Sequence, residues 1–297
     1  MIGTRRTARR LLLLGFVLAA LLAPGAPPAR AVLAPSMFAL TNGNVLLKIK
    51  AASPATIEKT ILISGLLANE DIVAIDFRPA TGQLYGLGVI NVVGPESGRL
   101  YTINTDSGAA TPVGSGPFST ALADDANYGF DFNPIADRIR LVNSADQNMR
   151  LNPVTGALSG LDQPLDNAAT GEEVFSAAYD RNVSGANLTT LYVIDLFGDQ
   201  LMRQGGADGN PSPNGGALTP IGPLGILLGS RLGGFDIGAD GSAYASIQPL
   251  GGLFQLYRIN LASGAATLVG TIGNGSVPIA GLAVVLPRYA YIPLISK

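Results

Sequence analysis

The 297-residue chain contains no histidine, cysteine or tryptophan, which excludes Ser-His and Cys nucleophilic catalysis, zinc sites of the usual kind, disulfide cross-links and tryptophan sugar platforms. Only 13% of its residues are charged while 38 are glycine and 20 are proline, a composition of many short strands joined by turns. The formal charge of −2 becomes −7 once the five arginines of residues 1–31 are set aside, so no basic footprint for nucleic acid is left.

Residues 1–31 read as an export signal. Arg5, Arg6, Arg9 and Arg10 precede an apolar run from Leu11 to Ala23, too short to span a bilayer comfortably, and Ala29-Arg30-Ala31 offers a small-x-small cleavage site. The expected mature protein begins near Val32, is exported to the extracellular space or cell envelope, and has no stable membrane span. Both the general secretory route and, through Arg9-Arg10-Leu11-Leu12-Leu13, the twin-arginine route fit this start. Residues 32–287 form one domain, since no linker or low-complexity block divides them, and residues 288–297 form a C-terminal tail.

Strands then follow in short runs. Phe38-Ala39-Leu40, Val45 to Ile49 and Thr60 to Ile63 come first. A fuller unit opens with Ile75-Asp76-Phe77-Arg78-Pro79 and continues through Gln83 to Leu87, Arg99 to Asn104 and Ser107-Gly108-Ala109. It returns as Phe130-Asp131-Phe132-Asn133-Pro134 with Arg138 to Val142, Met149 to Asn152 and Thr155-Gly156-Ala157. A looser copy runs from Ala177-Ala178-Tyr179 to Gly222, and another from Phe235-Asp236-Ile237 to Gly270. The Ser/Thr-Gly-Ala stretches are turn chemistry, glycine supplying the positive φ of a hairpin. Alternation places Leu47 and Ile49, Tyr101 and Ile103, Met149 and Leu151, and Tyr257 and Ile259 in the core.

The first unit lacks its opening strand, and Gly281 to Val285 near the C-terminus supplies one. The chain therefore reads as an all-β, five-bladed β-propeller, its ring closed by a C-terminal strand pairing into the N-terminal blade. A two-sheet sandwich and an open repeat array are the alternatives.

These strings, together with Gly129-Phe130, Asp137-Arg138-Ile139-Arg140, Arg150-Leu151-Asn152-Pro153 and Gly233-Gly234-Phe235-Asp236, resemble the bacterial family called domain of unknown function 4394, from about Phe38 to Leu286. The resemblance implies an exported propeller-like protein. It implies no activity, cofactor or partner, and no functional residue can be carried over from it.

Asp76, Asp131 and Asp236 share one repeat position and invite comparison with glycosidase carboxylates, but a repeated residue is more simply scaffolding that accepts backbone N–H bonds. Blade three departs from the others, setting Arg140 where Phe38, Tyr85, Tyr192 and Tyr244 stand. With Arg138, Asn143, Asn148 and Arg150 it makes a candidate site for a carboxylate, sulfate or sugar, the competing expectation being that Arg140 pairs internally with Asp131 or Asp137. Lys48, Thr102, Arg150, Arg203 and Arg258 align as a belt whose long stems cover apolar surface. The acidic loops at Asp124-Asp125, Asp208-Gly209-Asn210 and Asp236 with Asp240-Gly241 lack the spacing of a calcium loop, and the glycosylation-like triplets at Asn182, Asn187 and Asn274 read as chance. No catalytic residue, cofactor or metal is assigned. The expectation is a non-enzymatic module that binds an extracellular or cell-surface partner. A hydrolase using Asp and Arg at the channel and a structural envelope protein are the rivals.

Overall fold

The computed structural model describes residues 34–90, 96–123, 127–166 and 173–287. The expected export signal, Asp124-Asp125 and the expected C-terminal tail lie outside the described residues.

Among the described residues, twenty strands form five four-stranded antiparallel sheets. Blade one takes β1 (Ser36–Thr41), β2 (Val45–Lys50) and β3 (Lys59–Leu62), and its innermost strand is β20 (Ile279–Val284) from the other end of the chain. Blade two is β4 (Glu70–Phe77), β5 (Leu84–Ile90), β6 (Ser97–Ile103) and β7 (Ala110–Val113). Blade three is β8 (Tyr128–Asn133), β9 (Arg138–Asn143), β10 (Asn148–Leu151) and β11 (Leu158–Leu161). Blade four is β12 (Val174–Tyr179), β13 (Leu191–Asp195), β14 (Gln200–Gln204) and β15 (Leu218–Pro223). Blade five is β16 (Gly234–Ile237), β17 (Ala243–Ile247), β18 (Gln255–Ile259) and β19 (Ala266–Thr271).

The expected closure is present, with Met37 opposite Val284, Phe38 opposite Ala283 and Ala39 opposite Leu282. It removes the open edge that β1 would otherwise present. The innermost strands β20, β4, β8, β12 and β16 each touch the next around one axis. Five strands converging there leave little room for side chains. The aligned positions two residues before the repeated aspartate are accordingly Ala74, Gly129, Ser176, Gly234 and Gly281. A Cβ on Gly234 would lie 2.2 Å from the Leu282 backbone nitrogen, so this glycine is demanded by the closeness of β16 and β20.

The outer hairpins repay a local reading of the sequence. In blades two, three and five, Asn104, Asn152 and Asn260 each accept two backbone N–H bonds from the turn that follows. Gly108, Gly156 and Gly264 then take φ of +78°, +70° and +81°, and each backs onto a carbonyl oxygen of the preceding blade's outer strand, those of Leu62, Val113 and Gly222. A turn residue thus packs one blade against the next.

The core lies in the seams between blades. Between blades two and three, Tyr85, Leu87, Leu100 and Met149 pack with Phe130, Phe132, Ile139 and Leu141, and the rings of Tyr85 and Phe132 meet edge to face at 5.1 Å. Each such fully buried side chain contributes about 1.5–3 kcal/mol relative to exposure. The residues expected inside are buried except Leu47, which is half-buried on strand β2.

Candidate functional site

Three places bear on function: the mouth of the axial channel, the axis itself, and the polar cluster of blade three.

The inner strands begin at one face of the ring, where Ile72 and Val73 of β4, Tyr128 of β8, Phe175 of β12, Gly233 before β16 and Ala280 of β20 line a cavity of about 410 Å³. Asn42, Asp71, Glu96, Asn127, Tyr128 and Arg231 give it its polar groups. Asp71 accepts a 2.7 Å hydrogen bond from the Asn44 amide, whose Oδ1 in turn accepts from the Ile72 N–H, so the first inner turn of blade two is fixed from blade one. Glu96 accepts from the Tyr128 hydroxyl at 2.8 Å. Arg231 is half-exposed and pairs with Glu173 at 2.5 Å. Below this mouth the small residues of the inner strands close the channel to about 10 Å³.

At the opposite ends of the inner strands, Asp76, Asp131 and Asp236 come together, one oxygen from each lying within 4.8 Å of the others. Each is 1% exposed. The scaffolding expectation holds in a specific form: Asp76 accepts from the N–H of Phe132, Asp131 from that of Tyr179 and Asp236 from that of Val284, each reaching the inner strand of the next blade. The other two blades carry Ala178 and Ala283 at this position, so the aspartate is not a demand of every blade. The N–H groups those alanines cannot satisfy, of Ile237 and Phe77, bond instead to the second oxygens of Asp236 and Asp76. Five N–H donors therefore meet six carboxylate oxygens. The sixth, Oδ2 of Asp131, is buried without a partner.

Electrostatics follow from that enclosure. Burial, and then the neighbouring Asp236, push the Asp76 carboxyl well above the usual carboxylate range. Burial, then Asp76 and Asp236, do the same to Asp131. Burial raises Asp236 to about 6, against the opposing N–H bonds of Val284 and Ile237 and the nearby Asn182 amide. Catalysis as in a glycosidase would need such carboxylates in an open cleft. These are closed in.

In blade three, Arg140 is enclosed at 2% exposure. Its Nη1 donates to Asn148 Oδ1 at 2.6 Å and to Asp162 Oδ2 at 2.7 Å, and its Nη2 donates to Asn214 Oδ1 at 2.6 Å. The internal carboxylate is thus Asp162 and not Asp131 or Asp137 as expected from their nearness in sequence. Asp137 is taken by Arg78, which pulls its carboxyl below the usual range, and Asp131 turns to the axis. Arg150 clamps Asp162 from the other side with two 2.8 Å bonds. Asn148 donates to the carbonyls of Gln163 and Pro213, and Gln204 closes the network, so Arg140 and Asn148 stitch blade three to blade four. Asn143 organises its own turn, accepting from the N–H groups of Ala145 and Gln147. Arg138 and Arg150 line a separate cavity of about 270 Å³ with Tyr179, Thr189, Asp208 and Asn214. The five residues grouped by sequence are therefore near one another but do different things.

Sequence reasoning did not find the mouth residues Asp71, Glu96 and Arg231, which carry no repeat signal, nor Asn182. The latter is 1% exposed, which bars it from glycosylation in the folded chain, and its amide stands beside Asp236.

The model of the family described as domain of unknown function DUF4394 matches residues 45–283. No curated protein matches the chain. Among solved structures, a Lactobacillus plantarum protein is similar at 13% identity and a TM-score of 0.44, with 80% of this chain and 66% of that one covered. A putative 6-phosphogluconolactonase from Bacteroides uniformis is similar at 13% identity and 0.42, covering 80% and 82%. A GH43 glycoside hydrolase is similar at 14% and 0.47, covering 89% and 55%. Likeness at this level concerns the fold and carries no functional argument.

Proposed function

The chain belongs to the family of domain of unknown function 4394, and from that premise we propose that it is an exported, non-catalytic binding propeller that takes a small polar ligand at the mouth of its axial channel. The observation that carries this reading is the 410 Å³ cavity lined by all five inner strands or the residues just before them. Its size suits one small molecule, and its Asp71 and Glu96 carboxylates, Asn42 and Asn127 amides and Tyr128 hydroxyl are mostly hydrogen-bond acceptors or groups that can accept. A ligand rich in hydroxyl or amino donors, such as a sugar or amino sugar, is the chemical class that complements them. The absence of histidine and cysteine from the sequence and the enclosure of the axial carboxylates both weigh against hydrolysis as the activity.

A thermal-shift screen of sugars, amino sugars and acidic metabolites against the chain tests the reading. A hit from the first two groups is expected, with Asp71→Ala weakening it at least tenfold. A hit that is unaffected by Asp71→Ala but lost in Arg138→Ala would move the site to the blade-three cavity. That second reading, an anion held by Arg138 and Arg150, is favoured by one observation: Arg138 lines the cavity and, among the described residues, its side chain makes a single hydrogen bond, to the carbonyl of Asp137.

A further inference from the structure

We propose that Asp76, Asp131 and Asp236, together with Asn182, form a binding site on the propeller axis for a hard divalent cation of the calcium class. The first ground is the unequal count of donors and acceptors. Three carboxylates sit within 4.8 Å of one another, and among the described residues no arginine or lysine pairs with any of them. Backbone N–H groups account for five oxygens and leave Asp131 Oδ2 with none. A buried carboxyl oxygen without a partner is costly, and three carboxyl groups crowded together are costlier.

Asn182 gives an independent ground. It lies in the loop between β12 and β13, beyond the end of blade four's inner strand, and the same loop carries Ser184 across to a cavity shared with Phe77 and Val285. Both polar atoms of its side chain are buried without a hydrogen bond, although the amide faces Asp236 closely enough to stabilise its charge. A side chain that only plugged the channel would be better apolar. An amide that stands beside Asp236 with no other partner can turn its oxygen toward a cation held by the three carboxylates.

The donor set selects the ion. Carboxylate and amide oxygens suit calcium, magnesium or manganese rather than softer metals. Calcium binds oxygens at about 2.3–2.6 Å with tolerant geometry, so two oxygens as much as 4.8 Å apart can both reach one ion. Magnesium, with bonds near 2.0–2.1 Å and several retained waters, fits an enclosed axis less well. One divalent ion leaves a single net negative charge, shared among carboxylates that already accept five N–H bonds.

The test strips the full chain with a chelator and titrates it with calcium chloride, following bound calcium and Tm. The expected result is one calcium per chain and a Tm rise of about 5 °C or more at saturation, with magnesium chloride giving a smaller rise. Asn182→Ala should weaken calcium binding about tenfold while leaving the chelated protein's Tm nearly unchanged. Asp131→Asn should abolish the calcium-dependent rise; if it does not fold, Asn182→Ala decides. No bound calcium at millimolar concentration, or wild-type affinity in both variants, overturns the proposal.

Discussion

Asp131 and Arg140 are direct partners in the β8–β9 register, yet they belong to clusters balanced in opposite ways. Arg140 turns outward into the seam with blade four and finds a carboxylate and two amide oxygens. Its charge is matched within the fold. Asp131 turns inward to the axis and finds two more carboxylates, one N–H bond and an oxygen left over. A buried charge that is matched locally is complete as scaffold, whereas one that is unmatched points to something the polypeptide does not itself supply.

The matched cluster should give the largest single effect when broken. Asp162→Ala leaves Arg140 enclosed without its carboxylate and should cost about 3–5 kcal/mol in urea unfolding. Arg140→Met, which removes the buried charge as well, should cost clearly less, and equal losses in the two variants would mean that the pairing is not what holds the seam. A smaller effect is expected at the blade two to blade three contact outside both clusters. Asp137 sits at φ 49°, a conformation asparagine tolerates, so Asp137→Asn isolates the charge that pairs with Arg78. Because Arg78 holds the Asp137 carboxyl below its ordinary value, the pair contributes above the unfolded carboxylate pKa, and its contribution is lost as pH falls through the folded one. Solvent reaches part of the pair, which limits it to about 1 kcal/mol at pH 7. The stability gap between wild type and Asp137→Asn should therefore begin to narrow below about pH 4 and go on narrowing as the pH falls further. A gap that does not narrow at all as the pH is lowered would assign the loss to geometry instead of charge.

The five-unit ring and its closure were legible because their signals are local and repeated. The Asn104, Asn152 and Asn260 turns, the glycines four residues after each, and strand alternation recur from unit to unit, and the missing first strand could only come from the C-terminus. The family resemblance rested on the same strings and is matched over residues 45–283. The site was less legible. Repetition of Asp76, Asp131 and Asp236 correctly suggested N–H acceptors, but their meeting at one point depends on the radius of the closed ring, which no local pattern encodes. Ala178 and Ala283, which leave donors and acceptors unequal, look unremarkable until the five inner strands are superposed. Arg140 stood out as a departure from four aromatics, but its carboxylate, Asp162, lies past the end of β11, where no strand alignment would place it. Asn182 carried only a misleading glycosylation pattern.

The unequal count on the axis can be tested without any metal, by comparing the chemical denaturation of Asp131→Asn and Asp76→Asn in the presence of a chelator. Asn at 131 keeps a carbonyl for the Tyr179 N–H and turns the unpartnered oxygen into a donor beside two carboxylates, so its stability should equal or exceed that of the wild type. Asn at 76 sets an amide NH2 against one of two backbone N–H groups, those of Phe77 and Phe132, that now share its carboxylate, and should cost about 1–3 kcal/mol. Equal destabilisation of the two variants would contradict the account of five donors meeting six oxygens.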